Sequence, residues 1–155
     1  MITAPFFQVK EAFAPIMPPV PKVDKRIVHL ESFLAGYNSP LAAHADTFVA
    51  TADQYGLDWR LLPAIAGTES TLGKRYIVGT YNPFGWGSGK IRFASWEHAI
   101  ETVGQKLYEK YYLSGTRPLT IEQVGDIYAE SPRWPRSVRF WIKKIGADQI
   151  SALLQ

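Results

Sequence analysis

The sequence predicts a mainly α-helical domain with a small β-hairpin or ordered loop inserted between its helices. Three observations predict it. Apolar residues recur at three- and four-residue spacing through most of the chain after residue 24. Those runs open on residues that cap helices and close on glycines. Between them, residues 74–93 lose the helical period and gather Gly79, Gly85, Gly87 and Gly89 around two short β-type runs, Tyr76-Ile77-Val78 and Ile91-Arg92-Phe93. At 155 residues, 46% hydrophobic and 20% charged, the chain suits one globular core.

The elements follow in order. Residues 1–23 read as a Pro-rich tail or linker, since Pro15, Pro18, Pro19 and Pro21 favour an extended polyproline spacer. Phe6, Phe7 and Phe13 leave a docked arm as the other reading. The domain proper is expected over 24–155. Asp24 caps a helix with Ile27, Leu30, Phe33 and Leu34 on one face, ending near Gly36. Ser39-Pro40 places a cap before a first-turn proline, and Leu41, Ala45, Phe48, Val49, Ala52 and Tyr55 follow until Gly56 stops that helix. Asp58 caps a third helix, from Trp59 to about Thr71, that turns Leu62, Ile65 and Ala66 inward and is closed by Gly73. Pro63 is expected to distort it. Ser95 caps a long helix with Trp96, Ile100, Val103 and Leu107 on one stripe. Thr120 and Gln123 form a capping box for a shorter helix through Val124 and Ile127. A last helix is expected from about Pro135 through Ile150, using Val138, Trp141, Ile142 and Ile145.

Composition excludes several chemistries. With no cysteine, a disulfide framework, an iron–sulfur cluster and a thiol nucleophile are ruled out. His29, His44 and His98 have no ligand spacing, so no metal and no cofactor are expected. Gly85-Trp86-Gly87-Ser88-Gly89 lacks the lysine and following hydroxyl of a phosphate loop, and no nucleophile elbow is present. No apolar run approaches a membrane span, and the first residues lack the order of a signal peptide. If the protein is exported, its signal or anchor lies outside this chain. A net charge of +3 does not call for nucleic acid. Arg133, Arg136, Arg139, Lys143 and Lys144 either attract anionic groups or form an ordinary solvated face.

Three segments carry chemistry. Glu69 stands near the end of the apolar helix Ala64-Ile65-Ala66-Gly67-Thr68-Glu69-Ser70. It is either an exposed helix-end glutamate or a half-buried acid at a cleft edge, where desolvation would keep it protonated as a proton donor. Tyr81-Asn82-Pro83-Phe84-Gly85-Trp86-Gly87 offers flat aromatic faces for sugar rings and polar groups for hydroxyls or N-acetyl groups. Its alternative is a tight turn that sends Phe84 and Trp86 into the core. Tyr128, followed by Ala129-Glu130-Ser131-Pro132-Arg133-Trp134, falls at the last turn of a helix that Pro132 ends.

Together, Glu69-Ser70, Asn82-Pro83-Phe84-Gly85 and Tyr128-Ala129-Glu130-Ser131-Pro132 resemble the lysozyme-like superfamily of peptidoglycan-cleaving enzymes. The resemblance is nearest the bacterial endo-β-N-acetylglucosaminidase family and the lytic transglycosylases, and it covers roughly residues 25–146. It implies a lysozyme-like α+β fold with Glu69 and Tyr128 as catalytic residues: Glu69 the general acid, and Tyr128 across the cleft, positioning the carboxyl group or the N-acetyl sugar. Ser70, Asn82, Phe84, Trp86, Glu130 and Trp134 are the implied substrate-binding residues.

The chain departs from a two-carboxylate pattern, because no acidic residue occurs from Ser70 to Trp96. That points to a single-glutamate reaction of the lytic transglycosylase kind. The rival is an endo-N-acetylglucosaminidase- or muramidase-like hydrolase that uses water and either Glu130, the nearest motif-borne acid though not at the family's acid position, or no second carboxylate. The expected partner is the peptidoglycan glycan strand, not nucleic acid, met by a monomer outside the cell or in its envelope. A membrane is expected to enter, if at all, only through an anchor outside this chain. A non-catalytic peptidoglycan- or chitooligosaccharide-binding module is the alternative.

Overall fold

In the computed structural model, which describes residues 22–112, 120–128 and 131–153, Asp24 opens the first helix as its sequence signature predicts. Its Oδ1 accepts the Arg26 N–H at 2.9 Å, satisfying one of the donors that a helix start leaves without an internal partner. Helix α1 spans Lys25–Gly36 and buries Leu30, Phe33 and Leu34. Residues 1–21 lie outside the described residues, so nearly all of the expected tail does too.

The second helix departs from expectation. Ser39 Oγ accepts the Leu41 N–H at 3.0 Å, but the segment forms a 3-10 turn at Ala42–His44 before α2 begins at Ala45. The reason is tertiary: the same hydroxyl donates to the Leu72 carbonyl at 2.7 Å, and Leu41 is fully buried. The entry to α2 is thereby pinned to Leu72, a residue 33 positions further along the chain. Helix α2, Ala45–Tyr55, ends as expected at Gly56, whose φ of 64° lies in the left-handed region.

Helix α3, Leu61–Ser70, starts two residues later than its pattern suggests, because Asp58 and Leu61 close a turn first, with Leu61 N–H donating to the Asp58 carbonyl at 2.8 Å. The shift puts Pro63 in the first turn, where no intrahelical bond needs its missing N–H, so the expected distortion has no cause. Leu62 through Gly67 and Ser70 are all buried, not one face only. A helix apolar all round is a core helix, and α3 is enclosed by α2, α4 (Trp96–Tyr112) and α6 (Trp134–Leu153). Its approach to α6 is close at Gly67, where a Cβ would lie 2.6 Å from the Trp141 ring.

The long helix α4, Trp96–Tyr112, buries Ala99, Ile100, Val103 and Leu107, and Ser95 Oγ accepts the His98 N–H at 3.2 Å at its start. Helix α5, Ile121–Tyr128, carries the expected reciprocal capping box. Thr120 Oγ1 accepts the Gln123 N–H at 3.3 Å, and Gln123 Oε1 accepts the Thr120 N–H at 2.9 Å. Helix α6, Trp134–Leu153, begins one residue before Pro135 and buries Val138 and Ile145. Of its basic residues, Arg139 pairs with Glu122 of α5, and Lys144 sits 5.8 Å from the Phe140 ring centre.

The chain is thus mainly helical, and among the described residues it forms no strand. The β-hairpin reading of 74–93 finds no support, because the backbone there turns too often to run extended. Gly79, Tyr81, Gly85, Gly87, Ser88 and Gly89 all have positive φ. Local bonds close the turns, such as Thr80 N–H to the Ile77 carbonyl at 3.0 Å and Gly89 N–H to the Gly85 carbonyl at 3.0 Å. A single bond across the segment, Phe93 N–H to the Thr80 carbonyl at 2.8 Å, is all that a ladder would share with it.

Candidate functional site

Glu69 is the penultimate residue of α3. Because α3 is enclosed along its length, the acid emerges at the one end of that helix that meets the turn-rich segment. The end is shaped by three successive left-handed residues, Thr71, Leu72 and Gly73, with φ of 54°, 59° and 76°. A β-branched threonine there stores strain, which the fully buried Leu72 and its N–H bond to the Ala66 carbonyl at 3.0 Å hold in place.

Ser70 ties this end to the segment beyond it. Its hydroxyl lies 2.7 Å from the Pro83 carbonyl oxygen and 3.0 Å from that of Ala66, and it accepts the Gly73 N–H at 2.9 Å. Asn82 then clasps the segment from inside. Its Nδ2 donates to the Trp86 and Ile91 carbonyls at 2.8 and 3.1 Å, and its Oδ1 accepts the Trp86 N–H at 3.2 Å. These bonds bring Gly85 against the acid: a Cβ at Gly85 would stand 2.8 Å from Glu69 Oε2, and its φ is +70°. Only glycine lets the backbone approach the carboxyl group so closely.

Glu69 opens into a cavity of about 710 Å³, within the size range of small-molecule sites. Phe84, Gly85, Trp86, Gly87, Ser88 and Ile91 form one wall, and Lys106, Leu107, Glu109 and Lys110 of α4 form the other. The second Glu69 oxygen is held from α6, where the Trp134 indole Nε1–H donates to Oε1 at 2.6 Å. Burial pushes the Glu69 carboxyl above its ordinary value, and the Trp134 hydrogen bond offsets this only in part. Across the cavity Glu109 is held below its ordinary value by Lys106, whose Nζ lies 2.5 Å from its Oε2, with a further bond from Gln105. One wall therefore carries a carboxyl group biased toward the protonated form and the other a carboxylate biased toward ionisation.

Set against the sequence expectations, the site divides. Glu69 and Trp86 face the cavity. Three implied substrate ligands are otherwise engaged. Ser70 and Asn82, 3% and 2% exposed, spend their polar atoms on the protein's own backbone, and Phe84, though it borders the cavity, is fully buried. Their part is to build the wall, because a turn-rich segment has no ladder to satisfy its backbone groups and buried side chains must do so. Trp134 is 5% exposed and bonds to the acid. Tyr128 ends α5, but its side chain lies outside the described residues, as does Glu130 altogether. Sequence reasoning passed over Lys106, Glu109 and Lys110. Their one signal was i, i+3, i+4 spacing beside the buried stripe of α4, which an ordinary solvated face shares.

The three histidines are dispersed. His29 Nε2 lies 2.5 Å from the Ile145 carbonyl oxygen, His44 Nδ1 is 2.9 Å from Glu97 Oε1, and His98 Nδ1 accepts the Ala94 N–H at 3.2 Å. Among the described residues no group of three or more His, Cys, Asp or Glu side chains gathers as a metal site would need. No family model, curated protein or solved structure matches the chain.

Proposed function

We propose that this chain is an exported enzyme, of lysozyme-like descent, that cleaves the β-1,4-linked glycan backbone of bacterial peptidoglycan with Glu69 as general acid. The observation that carries the reading is a desolvated carboxyl group, fixed by an indole N–H on one side and a glycine backbone on the other, opening into a cavity walled by Trp86. Such a group holds its proton at a pH where an ordinary glutamate has lost it, which is what protonating a glycosidic oxygen requires.

In the reaction, Glu69 delivers its proton to the bridging oxygen as the C1–O4 bond breaks, and the leaving strand departs as a neutral hydroxyl. The ionised Glu69 then takes the proton of the sugar's own 6-hydroxyl while O6 closes on C1. This produces a 1,6-anhydro end and regenerates the acid. The N-acetyl group assists at the anomeric carbon. Trp86 supplies an aromatic face against which a sugar ring can lie.

Glu109 favours a second reading, hydrolysis. An ionised carboxylate on the α4 side of the same cavity would take a proton from water as the water oxygen attacks C1, the role of the second carboxyl group in a hydrolase. Mass spectrometry of a digested wall separates the two, because cyclisation leaves anhydro ends and hydrolysis leaves reducing ends. Glu69→Gln should abolish cleavage under either reading, and full activity in that variant would exclude both. Wild-type protein that binds wall strands in zymography without clearing them would identify a binding module instead.

A further inference from the structure

Ile77, Val78, Tyr81 and Ile91 are 47%, 83%, 38% and 44% exposed, a concentration of large apolar side chains in solvent that the rest of the described chain does not match. The same stretch carries Lys74, Arg75, Lys90 and Arg92, all exposed, and no acid. Apolar patches rimmed by charge mark interaction surfaces. Here the backbone beneath is braced. The Ile77 side chain lies against Gly89, within 3.3 Å of where a Cβ would stand, and Arg92 Nη1 donates to the Gly79 carbonyl at 3.2 Å. The Asn82 clasp joins 82, 86 and 91, and the Tyr81 ring meets Trp96 edge-on at 5.4 Å. These contacts make the two halves of the segment one lobe. Val78, its most exposed apolar residue, sits on the turn that the Thr80 N–H closes onto the Ile77 carbonyl.

We propose that this lobe is a docking surface for an anionic lipid bilayer, in which Val78 and Ile77 enter the interfacial layer while Lys74, Arg75, Lys90 and Arg92 meet lipid phosphates. The chemistry selects this occupant over others. A soluble polyanion would engage the four cations but leave the aliphatic turn in water. A neutral glycan would leave the cations unused. A bilayer surface rewards both, because apolar groups gain on leaving water and each cation gains from the negative surface potential. Tyr81 suits the same boundary, with an apolar ring and a polar tip. Since the braced backbone already holds these side chains outward, docking orders little that is not ordered beforehand. The domain would then meet a membrane by its own surface. The inference does not rest on glycan cleavage, although Ile91 also borders the Glu69 cavity.

The test is sedimentation of the full chain with vesicles of phosphatidylcholine and phosphatidylglycerol in equal parts, against vesicles of phosphatidylcholine alone. Both variants alter exposed side chains, and thermal melting checks their folding. Wild type should partition onto the anionic vesicles and leave them in high salt. Val78→Asp should weaken partitioning by about tenfold, and Lys90→Glu by about fivefold or more. No binding by wild type, or binding by either variant as strong as that of wild type, overturns the proposal. Loss in Lys90→Glu alone, with full competition by soluble polyphosphate, would also overturn it and mark a polyanion site instead.

Discussion

The Trp134 indole N–H donates to Glu69 Oε1 at 2.6 Å, joining the start of α6 to the end of α3 across 65 residues of sequence. The bond aims the carboxyl group and lowers its proton affinity, against the larger effect of burial that raises it. Trp134→Phe keeps an aromatic ring and deletes the donor. With the lowering contribution gone, Glu69 should hold its proton to still higher pH, so the alkaline limb of the activity profile should move upward. Loss of aim should cut kcat, by roughly up to 100-fold, with KM little changed. A profile unmoved on the pH axis would show that the bond does not act on the acid.

Gly85 bounds the other carboxyl oxygen. Gly85→Ala would place a methyl group 2.8 Å from Glu69 Oε2 at a φ of +70°. The left-handed backbone alone should cost about 1–2 kcal/mol, and the carboxyl group must move. We expect a melting temperature lowered by a few degrees and cleavage reduced far more than that loss explains. Parallel thermal melts and zymograms check the ratio.

Burial of Glu69 has a signed consequence for stability. Its folded-state value lies above the 4.5 of an ordinary glutamate, so the native chain binds the proton more tightly than the unfolded chain. Stability is therefore full at low pH and falls as pH rises from 4.5 through the folded value, where ionising the acid opposes folding. Glu69→Gln removes that penalty while its amide oxygen still accepts from Trp134. The variant should melt above wild type at neutral pH and converge on it below pH 4.5, a pattern calorimetry at two pH values would reveal.

Asn82 makes three hydrogen bonds inside the turn-rich wall. Asn82→Ala leaves two carbonyls and one N–H without that partner, at about 2–4 kcal/mol. Denaturant unfolding should show the loss directly, with activity falling in step. Unchanged stability with weaker glycan binding would instead mark Asn82 as a sugar ligand.

Much of this arrangement was legible in residue order. Asp24, Gly56, Ser95 and the Thr120–Gln123 pair start or stop helices where their side chains and backbone freedom say they should. These signals are local, worked out within a turn of chain. Where they missed, a distant contact had outbid them. Ser39 holds the turn ahead of a 3-10 helix instead of capping α2, its hydroxyl being also bound to Leu72, and the two β-type runs of 74–93 bend because glycines and an internal asparagine clasp hold turns instead of a ladder.

Residue order alone set the helical class, the stripes that form the core, and the presence of one acid in an apolar helix followed by a stretch without acids. It left open whether that acid was solvated, because solvation depends on what folds over a group and not on its neighbours in the chain. Tertiary structure decided this by bringing Trp134 and Gly85 to the two oxygens of Glu69. It also carried Lys106 and Glu109, which look like an ordinary helix-surface pair, to the facing wall of the same cavity.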